Sequence, residues 1–201
     1  MLHKFSLSVL LFACYSLNAQ SDSQKVVANV TRLAIINPGF SYETTIGSKS
    51  TLYSEVGLAP FIRMGWAAVE AEGFKFRMDP FVNLQYRAYY NFKRRTEKKL
   101  RTDLNSLNYI APSLGISYSK NAIHSDGYDE PDRRVLSSVG VYWGMQRNFK
   151  SRFSLDLMIG PGYLFGKTTY NDGVGGSYSE GDGRFVLNTR LILGLWLNKK
   201  E

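Results

Sequence analysis

Between Phe74 and Phe92 the chain reads FKFRMDPFVNLQYRAYYNF, and its character changes at every step. Phe74, Phe76, Met78, Pro80, Val82, Leu84, Tyr86, Ala88, Tyr90 and Phe92 are apolar, aromatic or small. The positions between them include Lys75, Arg77, Asp79, Asn83, Gln85 and Arg87. This is the period of an extended strand, because an α-helix would scatter both sets around its axis. The pattern recurs, and turn residues divide the chain into strand candidates at 26–36, 39–47, 51–66, 74–91, 107–120, 134–148, 152–166 and 184–198. Eight is an even number, as a single-chain up-and-down barrel requires. The first candidate, VVANVTRLAII, has no stable alternation, so seven strands with an irregular lead-in stay open.

Alternation alone leaves open which face meets water. A soluble sandwich turns its apolar set inward, and a membrane barrel turns it outward. Three features favour the second. The face opposite the apolar set is rich in small residues, including Gly57, Gly115, Gly140, Gly144, Gly160, Gly162 and Gly194. Glycine weakens a water-facing strand but suits a narrow lumen, where small and large side chains must alternate. The candidates are also long enough to cross a bilayer at a tilt. Finally, Trp66, Tyr90, Phe92, Trp143, Phe149 and Tyr163 gather near strand ends on the apolar face, as interfacial aromatics do. The expected fold is all-β: an eight-stranded antiparallel up-and-down transmembrane β-barrel.

With 44% hydrophobic and 21% charged residues, the chain is too polar for a bundle of membrane helices. Its start, MLHKFSLSVLLFACYSLNAQ, joins a basic Lys4 to an apolar run and a small residue at Ala19. That predicts a signal peptide over 1–19 and a barrel domain over 20–201. Cys14, the single cysteine, falls inside the signal, so cleavage leaves no thiol for disulfides. The net charge is +8. Export argues against nucleic acid, which makes outer-membrane lipid and lipopolysaccharide the expected neighbours, with the cell outer membrane as the location.

On this phase Glu43, Glu55, Asp79 and Asp156 share the lumen with Arg63, Lys75, Arg77, Arg87 and Arg190. Unpaired charges in a sealed interior are costly, so the two signs should form a hydrogen-bonded network. With Tyr53, Phe61, Tyr89 and Tyr142 in the same layer, the interior reads as a plug and not an open channel. The basic run from Lys93 to Arg101 reads as a solvated turn, and 121–134 and 167–183 read as outer loops. The acids in those two loops match no calcium-loop spacing. No metal, cofactor or catalytic residue is expected. His124, Ser125 and Asp126 supply residue types for lipid-modifying chemistry, but neighbours along one strand point apart.

The segments NVTRLAIINPGFSYETTIG and YYNFKRRTEKKLRTDLNSLNYIAPSLGISY resemble a family of small outer-membrane β-barrel proteins of Gram-negative bacteria. The resemblance implies a porin-like wall with OmpA- or OmpX-like architecture, assembled as a monomer by the barrel-assembly machinery, and carries no activity with it. Such barrels often end on an aromatic, whereas here Trp196 is followed by LNKKE. The expected role is structural or loop-mediated. The alternatives are a lipid-modifying outer-membrane enzyme and a soluble periplasmic barrel with lipid in its apolar face.

Overall fold

A computed structural model describes residues 26–63, 75–121, 123, 129–171 and 176–199; the expected signal peptide, Trp66 and the trio His124, Ser125 and Asp126 lie outside them. Long alternating segments form strands here because each can bury one face along its whole length. They are β1 (Val30–Ala34), β2 (Gly39–Thr45), β3 (Ser50–Arg63), β4 (Lys75–Tyr89), β5 (Asn108–Asn121), β6 (Asp129–Asn148), β7 (Phe153–Asn171) and β8 (Ser177–Trp196). Each pairs antiparallel with its sequence neighbours, and β8 pairs with β1 to close an eight-stranded up-and-down barrel.

Several strands differ in length from what alternation predicts. β6 starts at Asp129, inside the segment read as an outer loop. β7 and β8 continue through most of 167–183 as a paired ladder, with Thr168 opposite Glu180 and Tyr170 opposite Tyr178. There both faces meet a polar environment, so the strand persists after the contrast between its faces has gone. β1 is shorter than expected, with five residues.

The one cluster of mutually packed buried apolar residues sits at the end where residues 26–29 and 197–199 lie, while Ile123 and Leu136 are buried near the opposite end. The connection between β4 and β5 folds back across this end through helix α1 (Phe92–Glu97) and a 3-10 turn (Asp103–Asn105). Leu107 packs there with Val27, Tyr89, Tyr109 and Ala111. Asn105 accepts from the Ala28 N–H and donates to the Ala28 carbonyl, each at 2.8 Å. Leu104 and Asn105 hold φ of 51° and 61°, left-handed values that turn the chain inward. The segment read as a solvated turn is therefore a stopper, with Arg95 clamped on the Arg101 carbonyl at 2.9 Å, Arg101 half-buried, and Lys93, Arg94, Lys98 and Lys99 exposed.

At the opposite end the rim is uneven. β2 pairs with β3 only as far as Gly39–Gly57, and β1 pairs with β8 through three residues, Arg32, Leu33 and Ala34. The Asn198 side chain adds bonds to Asn29 O (2.7 Å) and Thr31 N (3.0 Å) at this seam. Above the β1–β2 turn no strand lies between β3 and β8 among the described residues. The wall there has a notch.

Candidate functional site

Among the described residues, the lumen is where chemistry-bearing side chains converge. In β4 the inward positions are Arg77, Asp79, Phe81, Asn83, Gln85, Arg87 and Tyr89, while Phe76, Val82 and Leu84 are exposed outside. Above the stopper lies an ionic layer. Glu43 from β2, fully buried, accepts hydrogen bonds from Arg32, Tyr89 and, at 2.6 Å, Thr51. Arg87, also fully buried, donates to Gln85 Oε1 at 2.9 Å and Gln146 Oε1 at 2.7 Å. Its Nη1 lies 2.8 Å from Asp156 Oδ2, and its guanidinium stands over the rings of Tyr53 (3.6 Å) and Tyr109 (4.3 Å). Tyr109 donates to the other Asp156 oxygen at 2.7 Å. Two guanidinium groups and two carboxylates balance, as a dry interior demands.

This layer fits because a large side chain meets a missing one. A Cβ on Gly144 would fall 2.0 Å from Cζ of Tyr109. Glycine on β6 makes the space in which the β5 tyrosine lies flat.

Higher in the lumen, Arg190 on β8 grips Glu55 on β3 with two hydrogen bonds of 2.7 Å and stands over the Phe81 ring. Next to it is a cavity of about 290 Å³, bordered by Asn83, Ser113, Ser138, Tyr142 and Asn188. Ser113 donates to Asn83 Oδ1 at 2.8 Å and Asn188 donates to Tyr142 Oη at 3.0 Å. Near the loop end Asp79 receives Arg77 at 3.1 Å and Ser119 at 2.5 Å, with Arg133 at 3.1 Å. Glu130, one of the acids read as belonging to a loop, is buried and bonded to Arg134. Arg63 and Lys75 face each other in register across β3 and β4, and their side chains lie outside what is described.

The sequence reading missed Arg32, Gln146 and the stopper residues Asn105 and Leu107. Val30, Arg32 and Ala34 all face inward, so one face of β1 mixes an apolar, a charged and a small residue. Of the aromatics, Trp143 donates to Tyr90 Oη at 2.6 Å on the outer surface, and Phe149 lies 5.8 Å from Phe153 in the adjoining turn. Tyr163 joins Phe165 and Phe185 near the other end, its hydroxyl lying over Gly183, where a Cβ would meet it at 2.5 Å. Phe92 is a correction. It opens α1 and packs against the stopper cluster instead of continuing the outer face of β4, because the strand ends at Tyr89.

Between these two aromatic groups the exposed outer positions are mostly apolar, with Ser54 and Thr189 as polar exceptions. They include Leu33, Phe40, Val56, Leu114, Val141, Ile159 and Leu187, with a shallow hollow of about 640 Å³ among Leu84, Pro112, Val139 and Phe185. The arrangement keeps charges neutralised inside and apolar side chains outside. No cluster able to hold a metal ion occurs among the described residues. In comparison with known proteins, the chain matches no family model, no curated protein and no solved structure.

Proposed function

We propose that this protein is an integral outer-membrane β-barrel with a plugged lumen, and that its role is structural or carried by its loop end. The supporting observation is the broad exposed apolar belt wrapped around an interior that holds the charges. A water-soluble protein rarely leaves so large an apolar surface uncovered. From Phe153 to Phe165 on β7, twelve steps of about 3.3 Å at a tilt of about 45° give a belt about 28 Å tall. That matches the hydrocarbon thickness of a bilayer. The termini and stopper would face the periplasm, and the loop end the outside. Its neighbours would be outer-membrane lipid and lipopolysaccharide, and it would be inserted by the barrel-assembly machinery as a monomer. A soluble carrier with lipid inside would need an apolar lumen, whereas the described lumen buries Glu43, Glu55, Asp79, Arg87 and Asp156 among its aromatic and apolar side chains. No catalytic step is proposed.

Leu114 sits in mid-belt on β5, exposed, and provides the test. In a bilayer, Leu114→Arg costs about 2–4 kcal/mol of folding stability. In water an exposed leucine can be replaced by arginine at almost no cost. Denaturant titration of the protein refolded into lipid vesicles, with gel migration before and after heating, reads the difference. Recovery of the wild type in the soluble fraction, with the variant equally stable, would overturn the reading.

A further inference from the structure

The notch between β3 and β8 is a way into the lumen from the side. Its sill is the β1–β2 turn. Ile35 and Ile36 on that turn are exposed to the outside, whereas Asn37 borders the 290 Å³ cavity behind. A turn normally carries polar residues because it meets water. Two exposed isoleucines here put the sill at the depth of the apolar belt.

The backbone agrees. The Leu58 N–H bonds Pro38 O at 2.8 Å, and the N–H groups of Ile35 and Ile36 reach Leu193 O at 2.8 and 3.3 Å. Backbone groups alternate in direction along a strand, so above these bonds Leu187, Thr189 and Leu191 of β8 turn theirs into the notch. On the β3 side the corresponding position is Pro60, which has no N–H to leave unpaired. Phe185 and Leu187 beside the notch are 84% and 72% exposed, the barest large side chains described on the barrel.

Behind the sill the lining mixes amides and hydroxyls with Pro60, Phe81 and Met158, and among the described residues its one ionised side chain is Arg190. In the Glu55–Arg190 pair the carboxylate side chain is 1% exposed and the guanidinium 18%. The cavity therefore meets the cation, with its counter-charge hidden behind. Arginine suits a phosphate, and the N–H groups of the β8 edge, which face no strand among the described residues, add donors of the same sense.

We propose that the notch binds one glycerophospholipid of the surrounding leaflet, its phosphate against Arg190 and Asn188 and its acyl chains outside, along Leu187 and Phe185. The cavity has room for a glycerophosphate head. This rests on the barrel lying in a bilayer.

The test uses the full mature protein folded in detergent, with native mass spectrometry against dioleoyl phosphatidylglycerol, dioleoylglycerol and glycerol 3-phosphate. One phosphatidylglycerol should be retained, at least tenfold more tightly than either of the other two. The paired variant E55Q/R190Q removes both charges together and should keep heat-modifiable migration while losing at least tenfold in retention. Ser138→Phe fills the cavity from β6 and should abolish retention in a folded barrel. Equal retention of dioleoylglycerol, equal binding of glycerol 3-phosphate, or full retention by both folded variants would overturn the proposal. If the protein inserts into vesicles yet retains no phospholipid, the notch site falls and the barrel reading stands. If it does not insert, both fall.

Discussion

The two halves of the lumen are built on different terms. At the stopper end all eight strands are present, every inward charge has an opposite within reach, and a loop seals the mouth. At the loop end the wall drops to six strands beside the notch, and the interior keeps a polar cavity. Where the ring is complete, Arg32, Arg87, Glu43 and Asp156 lock into one shared layer; where two strands stop short, the ion pairs Glu55–Arg190, Asp79–Arg77 and Glu130–Arg134 stand apart, and amides and hydroxyls line the space between them. Neutral hydrogen-bonding side chains tolerate water beside them, whereas a dry charge layer needs a full enclosure to hold its geometry.

The sharpest way to break this contrast is Arg87→Ala. It leaves Asp156 short of its nearest cation in the dry layer, and about 3–5 kcal/mol of stability should be lost. Urea unfolding of the protein in lipid vesicles measures it. Gly144→Ala comes next: its Cβ would drive into the Tyr109 ring, and overpacking of this kind costs about 1–3 kcal/mol. The smallest effect belongs to the other half. Asn188→Ala loses the bond to Tyr142 beside the cavity, where water can replace it, and should cost about 1 kcal/mol or less. If Asn188→Ala proved as damaging as Arg87→Ala, the two halves would be equally dry and the contrast would be wrong.

Much of this was legible because alternation reports a difference between two environments. Along β4 the outer face meets an apolar medium and the inner face carries charge, so Asp79, Gln85 and Arg87 could be assigned to one side from spacing alone. Where that difference disappears, so does the signal. Residues 129–134 and 177–183 are strand with polar groups on both faces, and periodicity reads them as loop. β1 failed for another reason: Val30 helps cap the lumen while Arg32, two residues on, pairs with Glu43. The stopper was illegible since Asn105 finds its partner in Ala28, seventy-seven positions away. Local pattern carries no trace of such a contact.

The seam has a kinetic consequence. β1 and β8 lie at opposite ends of the chain, share three residue pairs, and are fastened beyond them by the Leu193–Ile35 and Leu197–Thr31 backbone bonds and the side chain of Asn198. Joining segments this far apart is slow, and it gains few bonds when it happens. The circle should therefore be completed last during assembly, and under heat or pulling it should come apart there first, unrolling into a curved sheet.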